Sequence, residues 1–267
     1  MIERIKTSAD YSRSKVDFQP EVGIILGTGL GGLVNHIDIK HSLPYNEIPS
    51  FPVSTVEGHA GRLIFGLLGG KKVVAMQGRF HYYEGYAPEQ VVFPVRVMKM
   101  LGIENLFVSN ASGGINSSFR VGDLMVITDH INLIPNVLIG KNHAELGPRF
   151  PDMSEPYSKA LTALATEVAA EKGIKLQYGC YVGTTGPTFE TPKEYGYFKV
   201  IGGDAAGMST TPEVIAARHM GLPVFGISII TNAAFSGQKS THEEVQEEGA
   251  KAEKRMSSLI VGMLEKM

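Results

Sequence analysis

The sequence predicts an α/β protein of one domain, with a central mixed β-sheet flanked by helices. Short apolar runs recur along the chain without alternating with polar residues, which is typical of strands that are buried on both faces. Segments with helical periodicity lie between these runs, and such alternation is typical of a sheet covered by helices. Because no repeat, low-complexity tract or linker interrupts the 267 residues, we expect a single domain over residues 1–267.

Most of the predicted strands end in glycine or in small polar residues. The first covers residues 22–26 and runs into a glycine-rich turn. The next two, residues 63–68 and 72–76, flank the pair Gly69-Gly70, and a glycine pair between two apolar runs predicts a hairpin. Later strands are expected at residues 106–108, 124–128, 179–183, 205–208 and 224–230.

Helices are predicted at residues 88–101, 154–172, 211–220 and 241–264. The first has Pro88 at its start and Gly102 after its end, and the last begins with the capping-box residues Thr241 and Glu244. The least regular stretch, residues 136–153, follows Pro135 and contains Pro148 and Pro151. A loop of this length in a compact domain is more often functional than idle.

Charge balance and cysteine content exclude several classes of protein. Twenty-five basic and 27 acidic residues give a net charge of −2, whereas nucleic-acid-binding proteins carry a clustered excess of Lys and Arg. No apolar stretch approaches the roughly 18 residues that span a bilayer, and the N-terminal residues lack the apolar run of a signal peptide. The single cysteine, Cys180, cannot form an internal disulfide, which fits a reducing compartment. We therefore expect a cytoplasmic protein that binds neither nucleic acid nor membranes.

Two motif-like segments indicate chemistry only weakly. Residues 27–32 match the dinucleotide-binding pattern G-x-G-x-x-G, but Pro44 and Pro49 interrupt the chain before a crossover helix and a second strand can form. What remains is a loop of backbone N–H groups with a hydroxyl, which suits an anion. The second segment is HEEVQ at residues 242–246. Gln246 stands where the zinc motif H-E-x-x-H needs its second histidine, so we expect no metal site.

A third segment follows a predicted strand and carries side chains suited to phosphate. Arg79 and His81 are two residues apart in a glycine-flanked loop, where a guanidinium fork and an imidazole N–H can both donate to phosphate oxygens. An ordinary charged surface loop explains the same residues equally well. The position after a strand, where the sites of open α/β sheets gather, favours the functional interpretation.

Six sequence blocks together resemble the trimeric purine nucleoside phosphorylases, in the order in which that family has them. The blocks are GHAGRL at 58–63, MQGRFHYYEGY at 76–86, GPTFET at 186–191, GMSTTPEV at 207–214, ITN at 230–232 and HEEV at 242–245. Each block alone is weakly specific, whereas their joint occurrence by chance is negligible. The resemblance implies the nucleoside phosphorylase fold and the reversible phosphorolysis of a purine nucleoside to the free base and ribose 1-phosphate.

The resemblance also implies roles for individual residues. The implied phosphate-binding residues are Thr28, His59, Arg79, His81, Ala111 through its N–H, and Ser209. The implied nucleoside-binding residues are Tyr83, Phe150, Tyr181, Phe189, Glu190, Met208, Asn232 and His242. Asn232, Glu190 and His81 are the implied catalytic residues, phosphate is a co-substrate, and no cofactor or metal is needed. Phe150 would reach into the site of a neighbouring subunit of a homotrimer.

The two polar residues of the implied base pocket favour 6-oxopurines. Breaking the N-glycosidic bond places negative charge on the purine, and Asn232 can hydrogen-bond the imidazole side where this charge gathers. Glu190 can accept from the N1–H of inosine or guanosine. Adenine has an acceptor at N1, so the Glu190 carboxylate and this nitrogen would both stay unpaired. The related methylthioadenosine phosphorylases usually carry Asp where Asn232 stands.

Three other functions stay open at this point. They are an adenosine or methylthioadenosine phosphorylase of the same family, a catalytically silent nucleoside-binding protein, and a nicotinamide-dependent dehydrogenase. Without the resemblance, Tyr181, Phe189 and Met208 are better explained as core residues, and Ser209 with Thr210 as a helix cap.

Overall fold

A computed structural model of the chain describes residues 1–27, 31–53, 60–234 and 242–267, without the side chains of residues 242, 244 and 246. The strands in these ranges are β1 Val22–Leu26, β2 Asp38–Pro44, β3 Arg62–Leu68, β4 Lys71–Gln77, β5 Asn105–Gly114, β6 Leu124–Asn132, β7 Leu176–Gly183, β8 Ala205–Gly207 and β9 Val224–Ala233. The α-helices are α1 Ile2–Lys15, α2 Pro88–Val91, α3 Phe93–Leu101, α4 Lys159–Lys172, α5 Pro192–Val200, α6 Thr211–His219 and α7 His242–Lys266.

The strands form one mixed sheet in the order β2-β3-β4-β1-β5-β8-β7-β6-β9, and β5 is its central strand. The first residues of β5 pair in parallel with β1, and nearly the whole strand pairs in parallel with β9. At its far end, Gly113 and Gly114 pair antiparallel with β8. Because β9, β6, β7 and β8 also pair in turn, these four strands and β5 close a ring.

This topology brings several strand ends to one edge of the sheet. β4, β1, β5 and β9 run parallel, so their carboxyl ends lie on the same side. β8 runs antiparallel to β5, so the chain that leaves β8 at Gly207 turns back along β5. Sites in α/β sheets gather at such an edge.

The core lies on both faces of the sheet, as the apolar runs predict. Ile25 and Val74 belong to a cluster that includes residues of α1 and α3. Their chain neighbours Ile24 and Val73 belong to a second cluster, which includes residues of α4 and α7. Successive strand residues point to opposite faces, so both helical layers receive a continuous apolar surface.

The fold class and the hairpin are confirmed. β3 and β4 pair antiparallel across Gly69 and Gly70. The structure also explains why the G-x-G-x-x-G pattern is misleading: residues Gly31–His36 form a 3-10 helix, and β2 then pairs antiparallel with β3. The parallel strand–helix–strand unit of a dinucleotide site does not follow this turn.

Two predicted helices differ from the observed ones. The helix expected over residues 88–101 is divided into α2 and α3, because Pro94 has no N–H to donate to the preceding turn. The helix expected from residue 154 begins only at Lys159, with Ser158 as its N-cap and Pro156 ahead of it. Ser158 Oγ accepts from the Leu161 N–H at 3.3 Å. The capping-box residue Thr241 lies outside the described residues.

Candidate active site

A cavity of about 330 Å³ lies at the edge of the sheet where the ends of β4, β5 and β9 meet. The last part of β5 contributes residues 110–113, and β9 contributes Thr231 and Asn232. The loop after β4, the segment before α5, the end of β8 and Val245 of α7 complete the wall. This volume lies within the range of about 300–1,000 Å³ that is usual for small-molecule sites.

One part of the wall is built around the buried guanidinium of Arg79, of which 1% is exposed. Gly78 turns the chain directly after β4 with a φ of 105°, a conformation that glycine adopts at little cost. Arg79 Nε donates to Glu213 Oε1 at 3.0 Å, and Nη1 donates to the Ser109 carbonyl at 2.8 Å and to Ser209 Oγ at 3.1 Å. Two segments, β5 and the stretch from Ser209 into α6, therefore fix the cation, and Glu213 offsets its charge.

His81 lies in the same loop, and Glu84 orients its ring. Glu84 Oε1 accepts from Nδ1 of His81 at 3.0 Å and from the His81 backbone N–H at 2.8 Å. The ring stacks on Tyr83 with centroids 4.6 Å apart and planes 14° apart. Burial lowers the pKa of His81, and the hydrogen bond to Glu84 opposes this only in part. The imidazole is therefore neutral near pH 7, with its proton on Nδ1 and an acceptor lone pair on Nε2. The N–H that the sequence analysis expects to donate to phosphate is thus used by Glu84, and the other ring nitrogen can only accept.

The chain that leaves β8 adopts a strained backbone conformation beside Arg79. Thr210 has a φ of 68°, which is an outlier for a β-branched residue. Asn110 Nδ2 donates to Thr210 Oγ1 at 2.8 Å and helps to hold it there. Thr210 is the N-cap residue of α6, yet its side chain makes no capping hydrogen bond to the described start of that helix. The hydroxyls of Ser209 and Thr210 thus contact Arg79 and Asn110, and the helix-cap interpretation is not supported.

A carboxylate and an amide from other segments line the same cavity. Glu190 Oε1 accepts from Thr184 Oγ1 at 3.1 Å, and Asn232 Oδ1 accepts from Thr231 Oγ1 at 3.4 Å. The Tyr195 hydroxyl and the Asn232 amide both lie beside Gly113: an ideal Cβ on that glycine would be 3.0 Å from the hydroxyl oxygen and 3.1 Å from Asn232 Nδ2. Burial and then the charge of Glu190 raise the pKa of Tyr195 far above its ordinary value, so the phenol keeps its proton. A protonated hydroxyl therefore lies beside the same glycine as the Asn232 amide and within the field of the Glu190 carboxylate.

Nine of the residues predicted from the sequence line this one cavity. They are the phosphate candidates Arg79, His81, Ala111 and Ser209, and the nucleoside candidates Tyr83, Phe189, Glu190, Met208 and Asn232. They come from several segments that are far apart along the chain, so the fold itself brings them together.

Tyr181, which the resemblance places in the purine pocket, lies behind the cavity wall. Its side chain is wholly buried and is not part of the cavity wall formed by the described residues. Its hydroxyl accepts from the Ser209 backbone N–H at 3.4 Å. A Cβ on Gly207 would lie 2.4 Å from this hydroxyl, so only glycine lets β8 pass so closely over it. Tyr181 thus supports the wall from behind.

Four other predicted residues cannot be placed in the cavity. Phe150 lies in the irregular segment between β6 and α4; 88% of it is exposed, and it is not among the described residues that line the cavity. Thr28 and His59 lie outside the described residues. His242 begins α7, but its side chain is not described either.

Three residues that the sequence analysis does not name lie against residues of the site: Glu84, Glu213 and Tyr195. Glu84 could have been found from its spacing of three residues from His81, which a single turn brings into contact. Glu213 is 134 residues from Arg79, and its sequence signal is a carboxylate among the mostly apolar residues of α6. The sequence signal for Tyr195 is its closeness to Glu190 along the chain, since it lies in the first turns of α5 shortly after that residue.

Metal-binding clusters and membrane-spanning helices are not found within the described ranges. No group of three His, Cys, Asp or Glu side chains is arranged there to hold a metal ion. None of the helices described is both long enough and apolar enough to cross a membrane.

The fold agrees with comparisons to known proteins. The family model of the phosphorylase superfamily matches residues 21–265, and this match gives the class of protein. A protein named purine nucleoside phosphorylase 1, from Geobacillus stearothermophilus, is 56% identical over 246 residues, which cover 91% of this chain and 90% of that protein.

Solved structures lead to the same family. The purine nucleoside phosphorylase of Schistosoma mansoni in complex with adenosine has a TM-score of 0.95 and 44% identity, covering 100% of this chain and 98% of that one. A Schistosoma purine nucleoside phosphorylase in complex with hypoxanthine gives the same TM-score, identity and coverage. The chain therefore belongs to the purine nucleoside phosphorylases, an enzyme family of the phosphorylase superfamily, and the resemblance of its six sequence blocks is confirmed.

Proposed function

We propose that this enzyme catalyses the reversible phosphorolysis of 6-oxopurine ribonucleosides and deoxyribonucleosides, such as inosine and guanosine, in purine salvage. The products are the free base and ribose or deoxyribose 1-phosphate. The observation that carries the proposal is the convergence, in one cavity, of an Arg–His–hydroxyl cluster and a carboxylate–amide pair.

In this proposal, phosphate binds at Arg79, His81 and Ser209, with Thr28, His59 and the N–H of Ala111 as further contacts. The charge of Arg79 is offset by Glu213, so phosphate meets strong donors without being fully neutralised, and it stays able to attack the ribose carbon. Nε2 of the neutral His81 can accept the proton of hydrogen phosphate. Phosphate also stabilises the positive charge that develops on the sugar as the glycosidic bond breaks.

The purine binds at the other group of polar side chains. Glu190 accepts from N1–H, and Asn232 hydrogen-bonds the imidazole side of the base, where negative charge gathers during bond cleavage. Phe189 covers the base, while Tyr83, Met208 and His242 contact the ribose. The hypoxanthine complex of the Schistosoma enzyme supports a 6-oxopurine product, because hypoxanthine is the base of inosine.

A second candidate is phosphorolysis of adenosine or methylthioadenosine. It is favoured by the adenosine complex of the Schistosoma mansoni relative. The residue types oppose it, since a carboxylate has no proton to give to the N1 acceptor of adenine. The side chain at position 232 is an amide, which can donate to a 6-oxo group, whereas an Asp can only accept.

We further propose that the chain works as a homotrimer in which Phe150 covers the site of a neighbouring subunit. Phe150 is 88% exposed, so its ring is accessible to a neighbouring subunit, and the family resemblance is what supports this role. We also propose that the 267 residues act as one catalytic domain and that the enzyme is cytoplasmic.

A substrate comparison tests the proposed specificity. Inosine, guanosine, adenosine and methylthioadenosine are each incubated with the enzyme at saturating phosphate, and release of the base is followed. We expect the two 6-oxopurine nucleosides to have the highest kcat/KM. Faster turnover of adenosine or methylthioadenosine would replace the proposal by the second candidate, and base binding without turnover would indicate a silent binding protein.

A further inference from the structure

A row of hydrogen bonds leads from the buried strand β9 to the hydroxyls beside Arg79. Ser228 Oγ donates to Asn110 Oδ1 at 2.5 Å, and Asn110 Nδ2 donates to Thr210 Oγ1 at 2.8 Å. Thr210 Oγ1 lies 3.2 Å from Ser209 Oγ. Ser209 lines the cavity, whereas Ser228 is wholly buried and is not among the described residues of the cavity wall. Ser228 is thus connected to the cavity through other side chains.

The register of the sheet places Ser228 in this position. Ser228 is the parallel partner of Asn110 across β5 and β9. Asn110 and Ser112 are two residues apart, so their side chains lie on the same face of β5. Ser112 Oγ is 2.5 Å from Ser228 Oγ. Ser228 stands between Ile227 and Ile229 in an otherwise apolar run, and a buried hydroxyl at such a position needs hydrogen-bond partners.

The direction of each hydrogen bond follows from the number of protons available. A hydroxyl has one proton and two acceptor lone pairs. Because Ser228 gives its proton to Asn110, it acts as the acceptor toward Ser112. The Asn110 amide therefore has its oxygen toward Ser228 and its NH₂ group toward Thr210.

The same count continues as far as the cavity. Thr210 Oγ1 accepts from Asn110 Nδ2 and, at 3.5 Å, from Arg79 Nη1, so its proton remains for Ser209. Ser209 Oγ then accepts from Thr210 and, at 3.1 Å, from Arg79 Nη1. Within the described part of the chain the Ser209 hydroxyl has no other partner, so its own proton is available to a ligand in the cavity. Such a donor suits phosphate, whose charged oxygens are strong acceptors.

We propose that Ser228 is a positioning residue for phosphate: through Asn110 and Thr210 it makes the Ser209 hydroxyl a donor to the anion. This inference rests on the proposed function, in which Ser209 contacts phosphate. If the Asn110 amide turned over, its oxygen would face Thr210 and accept that proton. Ser209 would then donate to Thr210, and a lone pair of Ser209 would face the phosphate oxygens. The Ser112–Ser228 pair opposes this turn, because Ser228 would have to give its proton to Ser112 and could no longer accept from it.

The test is Ser228→Ala, which removes the hydroxyl that fixes the amide. Ser12→Ala is the matched control, since Ser12 is also wholly buried, donates to the Ser8 carbonyl at 2.9 Å and is not among the described residues of the cavity wall. Calorimetry with inorganic phosphate measures the Kd of each variant without turnover. The phosphate KM, the inosine KM at saturating phosphate and the Tm are measured alongside. The same set is collected for Ser209→Ala and for the double variant Ser209→Ala with Ser228→Ala.

For Ser228→Ala we expect the phosphate Kd and KM to rise about three- to tenfold, the size of the loss when one buried hydrogen bond no longer orients a polar partner. The inosine KM should stay within a factor of about two, because no hydrogen-bond partner of Ser228 is proposed to contact the nucleoside. In the double variant, Ser228→Ala should add nothing to the loss caused by Ser209→Ala, because Ser228 acts through that hydroxyl. Ser12→Ala should lower the Tm and leave the phosphate Kd unchanged. Ser228→Cys, which has only a weak donor, replaces Ser228→Ala if that variant folds poorly, and the same rise is expected.

A phosphate Kd that changes less than about twofold in Ser228→Ala would overturn the inference. Losses that multiply in the double variant, or a control that weakens phosphate binding as much, would also overturn it, since either result gives Ser228 a general structural role. Failure of the proposed function would be seen separately, as absence of phosphate-dependent base release by the unmodified enzyme. In that case the phosphate Kd still decides whether Ser228 acts through Ser209.

Discussion

Replacement of Arg79 by alanine tests a side chain that has two roles, one in the fold and one in the site. The guanidinium and the Glu213 carboxylate are 3.0 Å apart, with 1% and 3% of their side chains exposed. Removing one partner of such a buried pair leaves the other charge without compensation, which costs about 3–5 kcal/mol. We expect a value near about 3 kcal/mol, because Glu213 also lies in the first turn of α6, where the helix dipole stabilises an anion.

This cost converts into a measurable loss of thermal stability. With an unfolding entropy of roughly 2.1 cal/mol/K per residue, 267 residues give about 0.56 kcal/mol/K, so Arg79→Ala should lower the Tm by about 5 °C. The loss of a charged hydrogen-bond donor to phosphate should also raise the phosphate KM by about 10- to 100-fold. Thermal melting and steady-state kinetics at varied phosphate measure the two effects.

The double variant Arg79→Ala with Glu213→Gln separates the two roles. The second change keeps the shape of the side chain and removes its charge, so the Tm should recover by several degrees relative to Arg79→Ala. The phosphate KM should stay high, because the donor is still missing. If the Tm does not recover, the ion pair does not stabilise the fold as described, and an unchanged phosphate KM in Arg79→Ala would remove Arg79 from the phosphate site.

Three further predictions concern other parts of the molecule. Asn232→Asp should lower kcat/KM for inosine and shift the inosine-to-adenosine ratio toward adenosine by at least about tenfold, because a carboxylate cannot donate to the 6-oxo group. Burial lowers the pKa of His130 to about 4, so between pH 6.5 and pH 4 the unfolded chain binds a proton that the folded chain does not. The free energy of unfolding, measured in urea, should therefore have its full value above pH 6.5. It should fall by up to about 3 kcal/mol as the pH is lowered to 4. Phe150→Ala should raise the nucleoside KM severalfold and leave the phosphate KM unchanged, while light scattering should give three times the mass of one chain.

Each of these predictions has a control or a result that contradicts it. An unchanged substrate ratio in Asn232→Asp would show that the amide does not contact the 6-position. His130→Gln removes the titrating group while other acid-sensitive groups stay, so an equally steep loss of stability in that variant would assign the pH dependence elsewhere. A monomeric mass, or a nucleoside KM that Phe150→Ala does not change, would contradict the proposed role of a neighbouring subunit.

The buried parts of the fold were predictable from the sequence, and the exposed parts were not. β1, β3 and β9 lie between two helical layers. Because both faces of these strands are buried, their sequences are nearly uninterrupted apolar runs. β2 lies at the edge of the sheet and is mostly exposed, and its sequence DIKHSLP carries no such run. α5 is short, has Gly196 in its interior and buries only Tyr195 and Phe198, so no clear helical stripe predicts it.

The same distinction applies to the site. Arg79 and Asn232 stand at strand ends, and the rule that sites gather there gives their position a physical reason. Tyr181 also lies in a strand, but sequence alone does not tell which face of a strand lines a cavity when both faces are buried. The pairing of Arg79 with Glu213 depends on tertiary folding over 134 residues, so no local pattern could reveal it.

The proposed reaction is tested most directly by the fate of inosine in the presence and absence of inorganic phosphate. We predict that hypoxanthine and ribose 1-phosphate form in equal amounts when phosphate is present, and that neither forms when it is removed. Release of hypoxanthine with free ribose in phosphate-free buffer, or no release under either condition, would contradict the claim that this cavity binds phosphate beside a purine nucleoside and joins the two.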